Sequence, residues 1–295
     1  MNSPNRASEQ GSIVEAATSI RADSHIGKLL QDAGKLRPQD MARVLQLQQE
    51  QNLRFGEAAQ KLGLVTEADI RQALSHQFAF PYIPAADAGI SPELTAATAP
   101  YSKEAEALRS VRSELLLRWF NEGRKTLAIG SARADEGASY LAANLAVLFA
   151  QMGRKVLLID ANMRQPHQHE VFNLGNGMGL SDILAERVPS VQVHTVKPFP
   201  TLTVLPAGSP PPNPAELLVR PSFGALLSGL ETSYDVILLD VSPAQLSSDF
   251  QLVAARAGGM LIAARRNVSR LAGLTGLKEK ITHTGARIVG AVVLD

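Results

Sequence analysis

The chain has 295 residues, 45% of them hydrophobic and 19% charged, enough to bury one large core and a second, smaller one. Its 29 Lys and Arg stand against 28 Asp and Glu, so no global field draws it to nucleic acid or to an anionic membrane. With no cysteine it has neither disulfides nor thiolate metal sites, as expected of a protein from a reducing cytoplasm.

Residues 1–22 are polar, rich in Ser and Asn, and read as a disordered tail without an apolar signal core. No later stretch approaches the roughly 18 consecutive apolar residues of a spanning helix, so no direct membrane insertion is expected.

Residues 23–85 read as a helical repeat domain. The stretch 25–48 (HIGKLLQDAGKLRPQDMARVLQLQ) aligns without a gap to 54–77 (RFGEAAQKLGLVTEADIRQALSHQ). Gly27 matches Gly56, Gly34 matches Gly63, Met41 matches Ile70, Leu45 matches Leu74 and Gln48 matches Gln77. Each unit predicts a short helix, a Gly stop, a polar capping stretch such as Thr66-Glu67, and a longer amphipathic helix.

This pattern resembles the N-terminal domain of the type II secretion and pilus ATPases of the GspE and MshE kind. That resemblance implies a cyclic di-GMP site at His25, Ile26, Gly27 and Gln48 in the first unit and Arg54, Phe55, Gly56 and Gln77 in the second. Binding members begin each unit Arg-Leu-Gly, and the first unit here has His25 in place of the arginine. A guanidinium stacks on a guanine face and donates in a fixed fork, which a neutral imidazole does not reproduce. The competing expectation is that the glycines are turns and the apolar positions pack a small docking module.

Residues 86–124 read as a linker followed by a lead-in helix, because 78–104 hold four prolines and no helical period until their end. Within EAEALRSVRSELLLRW, a spacing of three puts Glu106, Arg109 and Arg112 on one helix face. A solvated, salt-bridged face is the plain reading of that triplet.

From residue 125 to 295, short apolar runs alternate with helical segments. The runs are Thr126–Gly130, Val156–Ile159, Thr203–Leu205, Val236–Leu239, Met260–Ala264 and Ile288–Leu294. Such alternation predicts an α/β fold, a mainly parallel sheet with helices on both faces, whose ligands bind at the carboxyl ends of the strands. The loop after the first run, Arg133, Ala134, Asp135, Glu136, Gly137, Ala138, Ser139 and Tyr140, leads into LAANLAVLFAQMG. Unpaired amides at such a helix start, together with its dipole, suit a phosphate. Asp160 and Asp240 each end a later run. Two acids at strand ends beside a phosphate loop are placed to hold Mg²⁺, with the Ser139 hydroxyl as a third contact; singly, each would read as a turn or cap residue.

Gly137 through Pro166 resembles the stretch GKSTxxANLAxxxAxxGxxVLLIDxDxRxP of the bacterial tyrosine-kinase (BY-kinase) family, including Asn144-Leu145-Ala146, Leu157-Leu158-Ile159-Asp160 and Arg164-Gln165-Pro166. The likeness continues through His169, Phe172, Gly179-Leu180-Ser181-Asp182 and the run Gly208 to Leu218 to the C-terminus. It implies a P-loop NTPase-like fold that binds ATP and Mg²⁺, with Asp160 and Asp240 as catalytic and metal-holding acids. It also implies a homo-oligomer built through Glu106, Arg109 and Arg112, and no nucleic-acid partner. The combination with the helical repeat is similar to the EpsG-like kinases of exopolysaccharide clusters. Those imply a Wzz-like membrane chain-length determinant as partner and a place in the cytoplasm at the inner membrane.

Three positions depart from the family pattern. Ala138 replaces the Walker lysine, Asn162 replaces the second acid of D-x-D, and Asp240-Val241-Ser242-Pro243 stands for D-T-P-P. The lysine counters charge on the transferring phosphoryl group, so its loss weighs more on catalysis than on binding. Arg133 or Arg164 is the candidate replacement cation. The tyrosines are Tyr82, Tyr101, Tyr140 and Tyr234, so self-modification on the family's tyrosine-rich tail is not expected. A kinase, a catalytically dead pseudokinase adaptor and a nucleotide or cyclic di-GMP sensor all fit this pattern. A partitioning or MinD-type ATPase fits less well, because Ser131 to Ala134 contains no lysine.

Overall fold

The computed structural model describes residues 26–67, 69–70, 73, 89–175, 177–188 and 193–295. The chain divides into two compact units, Met1–Tyr82 and Ile83–Asp295.

In the first unit a helix over residues 26–32 ends at Gly34, and a single 3₁₀ turn, Pro38–Asp40, leads into the helix Met41–Gln51. The second repeat follows with the helix Phe55–Lys61 and its stop at Gly63. Gly34 and Gly63 occupy the same left-handed conformation, φ 68° and 65°, where a side chain would be strained. The capping stretch of the second repeat is closed by Asp69, whose carboxylate accepts from Thr66 N at 2.9 Å and from its hydroxyl at 2.6 Å. The repeat extends to packing. A Cβ on Gly27 would press on Met41, and one on Gly56 would press on Ile70, so matched glycines lie against matched apolar residues. Ile26, Leu30, Val44, Phe55, Ala58 and Ala59 form the core.

The second unit is built on a seven-stranded sheet in the order β3-β4-β2-β5-β1-β6-β7. Its strands are β1 (Thr126–Ser131), β2 (Val156–Asp160), β3 (His194–Val196), β4 (Phe199–Leu205), β5 (Val236–Asp240), β6 (Gly259–Arg265) and β7 (Arg287–Leu294). All neighbouring pairs are parallel except β3 with β4. The six apolar runs are all strands. The short antiparallel β3 was not anticipated, because His194-Thr195-Val196 carries only one buried position.

Side chains alternate across the sheet as the pleat requires. Leu127, Ile129, Leu158 and Leu238 enter the core under the helix Ala138–Gln151. Ala128, Leu157, Ile159, Ile237 and Leu239 enter the opposite core, under the helices Asp249–Ala257 and Leu271–His283.

The stretch expected to link the units contributes to the main core. Ile90, Leu94, Ala96 and Ala97 are buried there, and Asn144 of the helix Ala138–Gln151 fixes the segment. Its Oδ1 accepts from Ala96 N at 2.9 Å and its Nδ2 donates to Glu93 O at 3.0 Å. Tyr140 OH donates to Thr95 Oγ1 at 3.1 Å, and Gln151 Nε2 to Ala96 O at 3.0 Å. The lead-in helix Lys103–Arg118 then ends on Trp119, which is fully buried and donates from Nε1 to Thr126 O at 3.0 Å. Proline count alone marked this strap as a linker; its small apolar residues and the polar groups on the helix facing it decide otherwise.

Candidate nucleotide cleft

β1 feeds a loop that tightens into a single 3₁₀ turn, Ala134–Glu136, and turns at Gly137 into the helix Ala138–Gln151. Gly137 has φ 84°, a conformation that favours glycine, and a Cβ there would also displace the end of the Leu294 side chain of β7. The first intrahelical bond here is Leu141 N to Gly137 O at 3.0 Å. The amides of Ala138, Ser139 and Tyr140 precede it and have no acceptor within the helix.

The parallel register of β2 and β5 sets Asp160 opposite Asp240. Both follow the parity of Leu158 and Leu238, so both carboxyls lie on the sheet face covered by the helix Ala138–Gln151. Neither is exposed. Asp160 Oδ1 accepts from Asn162 N at 3.1 Å, and its Oδ2 from His167 N at 2.9 Å and Gln168 N at 3.0 Å. Gln168 Nε2 spans the gap, donating to Asp240 Oδ2 at 2.7 Å and to Ser139 O at 3.2 Å. Among the described residues, Asp240 Oδ1 is buried without a hydrogen-bond partner.

Burial, then repulsion from Asp240, pushes the Asp160 carboxyl well above the ordinary carboxylate range, against the pull of three backbone amides. Burial does the same to Asp240, partly offset by the hydrogen bond from Gln168 and the nearby Ser139 hydroxyl. Such a pair, with an oxygen left over and a hydroxyl beside it, matches the hard-oxygen donor set of a divalent cation held partly by water and phosphate.

A cleft of about 350 Å³ opens beside this pair; Asp160 and Asp240 do not themselves line it, but Ser139, Asn162 and Val241 next to them do. Ala134, Asp135, Gly137, Ala138, Ser139 and Tyr140 line it, as the sequence led one to expect. Arg133 and Glu136 do not. Glu136 is fully buried and turned into the loop, where its Oε2 accepts from Ala132 N at 2.9 Å and Arg133 N at 3.0 Å. A carboxylate that satisfies the loop's own amides is a brace, not a phosphate contact. Arg133 lies 3.4 Å from Asp135 and lines a separate cavity with Gly273 and Lys280. Arg164 is clamped by the buried Asp249, Nε to Oδ2 at 2.7 Å and NH2 to Oδ1 at 3.3 Å. Neither arginine named as a replacement cation lines this cleft, although Arg133 is paired with its wall residue Asp135.

Two departures from the family pattern touch each other. Ser242 Oγ donates to Asn162 Oδ1 at 2.8 Å, and the same oxygen accepts from Gln165 N at 3.2 Å. A neutral amide here ties the loop after β2 to the loop after β5, where an acid would add a third negative charge.

Sequence reasoning missed Gln168, Arg265, Glu93 and His167. Glutamine carries no motif signal, and an arginine closing an apolar run reads as a solvated strand end. Glu93 and His167 line the cleft and approach each other at 3.4 Å.

On the lead-in helix, the exposed Glu106 pairs with the half-buried Arg109, whose NH2 lies 2.7 Å from Glu106 Oε2. Arg112 is half-buried and reaches Leu148 O at 3.5 Å, so it anchors the helix to its neighbour as well as facing outward. In the helical unit, Ile26, Gly27, Phe55 and Gly56 are buried, Gln48 is half-buried and Arg54 is exposed. His25 and Gln77 lie outside the described residues.

No protein-family model matches the chain. It is 34% identical to CapB of Staphylococcus aureus over 197 residues, which is 66% of this chain and 85% of CapB. It is 33% identical to the tyrosine-protein kinase YwqD of Bacillus subtilis over 198 residues, 67% of this chain and 84% of YwqD. The crystal structure of the chimerical protein CapA2B2 superposes with a TM-score of 0.65 at 30% identity, covering 75% of this chain and 97% of that one.

Proposed function

The chain belongs to the bacterial tyrosine-kinase family, and from that premise we propose that it binds Mg-ATP and Mg-ADP in this cleft while having lost most of its capacity for phosphoryl transfer. The observation that carries the reading is the buried Asp160 and Asp240 pair with an unpartnered Asp240 oxygen. Two ionised carboxyls side by side in a dry interior destabilise the fold, and a divalent cation offsets that cost. Asp160, Asp240 and the Ser139 hydroxyl would hold Mg²⁺, which supplies neutralisation of the phosphate oxygens when bound. The free amides from Ala138 to Tyr140 cradle the phosphates.

Ala138 presents a methyl group where the family has an ammonium. Loss of a preorganised electrostatic donor costs about 10² to 10³ in rate, whereas a lost charged hydrogen bond costs about 1.5 to 3 kcal/mol in binding. Binding therefore outlives transfer. ATP hydrolysis by Ala138→Lys beside wild type tests this, with a rise of about 10²-fold expected. A wild type already turning over as fast as the variant would contradict the loss of transfer.

A second reading, a pseudokinase adaptor with no transfer at all, is favoured by the Ser242 to Asn162 hydrogen bond. It makes two departures one joined unit, as expected of a site rebuilt for holding. A variant Ala138→Lys as silent as wild type would select it.

We further place the protein in the EpsG-like branch, acting in exopolysaccharide synthesis with a Wzz-like membrane chain-length determinant at the cytoplasmic face of the inner membrane. Support comes from the motif resemblance and from the chimerical make-up of its CapA2B2 relative. No helix among the described residues is long and apolar enough to cross a membrane, so membrane association is assigned to the partner. The pair Glu106 and Arg109 is the proposed contact in a homo-oligomer. The helical unit is read as a docking module, not a cyclic di-GMP sensor, because four of the residues expected to contact that ligand pack its core.

A further inference from the structure

We infer that Arg265, at the end of β6, supplies the positive charge to the nucleotide's phosphates that the loop itself lacks. The inference rests on the nucleotide reading above and names a binding residue for it. Among the described residues that line the cleft, Arg265 is the one lysine or arginine. The acids nearby are Glu93 and Asp135 on the walls, and the buried Asp160 and Asp240, which adjoin the lining residues Asn162 and Val241. A polyanion entering such a cleft needs compensation beyond one divalent ion, and a guanidinium offers it in a fork matched to phosphate oxygens.

The fold aims this residue at the loop. β6 is hydrogen-bonded to β1, the strand that feeds the loop, with Ala263 opposite Ser131, so Arg265 emerges beside the loop two residues further on. Its backbone is fixed on both sides. Arg265 N donates to Ser269 Oγ at 2.8 Å, its carbonyl accepts from Ser269 N at 2.9 Å, and it stands opposite Leu294 of β7. Leu294 is also the residue against which Gly137 packs, so one side chain of β7 adjoins both the loop's turn and Arg265.

The charge is also left free. On its other side Arg265 lines a cavity with Glu104 and Asp295; Asp295 pairs with the next residue, Arg266, at 2.8 Å, and Arg265 makes no ion pair among the described residues. The other two candidates do not line the cleft and are ion-paired: Arg133 with Asp135 of the cleft wall, and Arg164 with Asp249. The chain thus carries its phosphate cation on the strand beside the loop instead of inside it.

The test is calorimetric titration of the full chain with Mg-ADP, comparing wild type with Arg265→Ala, Arg265→Lys and Arg133→Ala. Arg265 is exposed, and equal thermal melting of the variants confirms that folding is retained. Arg265→Ala should weaken Mg-ADP about tenfold or more, Arg265→Lys should recover part of the loss, and Arg133→Ala should stay within about twofold of wild type. The dependence of affinity on salt should also become shallower in Arg265→Ala, since a charge contact has gone. If wild type binds and Arg265→Ala binds as tightly, or weakens with no change in salt dependence, the assignment of Arg265 is overturned and the cleft reading stands. If wild type binds no Mg-ADP at all, the cleft reading fails and Arg265 falls with it.

Discussion

The helical unit and the nucleotide cleft bury their motif residues for opposite reasons. In the helical unit, each repeated position answers a packing demand: Gly27 gives way to Met41, Gly56 to Ile70, and Phe55 fills the centre. Around the cleft, the buried groups are polar and cost stability where they sit: Asp160, Asp240, Glu136 and Gln168. Glu136 takes two loop amides on one oxygen and so braces the loop, whereas Asp240 accepts from the Gln168 side chain alone and faces a second buried carboxyl, Asp160, in register. Repetition records how a module packs, whereas buried charge that the fold leaves unbalanced marks where something else is meant to bind.

The sharpest way to break this contrast is Phe55→Ala. Emptying a fully packed site should destabilise the helical unit by about 3 to 5 kcal/mol, while Mg-ADP affinity stays at the wild-type level. Chemical denaturation followed by far-UV circular dichroism, with titration in parallel, checks both halves. A matching fall in affinity would mean that the two regions are not separable in this way.

Next in size is Asp240→Asn. Because burial raises the pKa of Asp240, the unfolded chain releases this proton at lower pH than the folded one, and the fold loses stability as pH rises above the ordinary carboxylate value. The asparagine removes that loss and keeps an oxygen for Gln168, so the melting temperature without metal should rise at neutral pH, by about 1 kcal/mol in stability terms. The same change should abolish the dependence of ADP binding on Mg²⁺. A less stable variant that still requires Mg²⁺ would show that the carboxyl is structural.

The smallest effect separates a rebuilt site from a decayed one. Asn162→Ala and Ser242→Ala should each cost about 1 kcal/mol, with the double variant costing less than the sum by about 0.5 kcal/mol or more. Strict additivity in denaturant titrations would mean that the two departures are unrelated accidents.

How much of this was legible in the sequence follows from where each signal lives. β1, β2 and β5 could be read because strands covered on both faces are near-continuous apolar runs, and Asp160 and Asp240 because each ends one. β4 was read only at Thr203–Leu205, since its earlier residues alternate between buried and open next to the short β3. Loop position brought Arg133 and Glu136 into the expected phosphate site, yet which way a loop side chain turns is decided by the amides it can satisfy. The strap at Glu93 to Ala97 was hidden by its prolines, and Gln168 by having no spacing rule, since its role depends on two strands meeting in register. The joined pair of Asn162 and Ser242 lies 80 positions apart and belongs to tertiary structure alone.

Calorimetry of the unmodified chain with ADP, run once with Mg²⁺ and once with the metal chelated, bears on the central claim most directly. Saturable heat that appears only with Mg²⁺ is the predicted result. Silence in both runs, or the same binding with and without the metal, would contradict the assignment of Asp160 and Asp240 as the metal-holding acids of a nucleotide site.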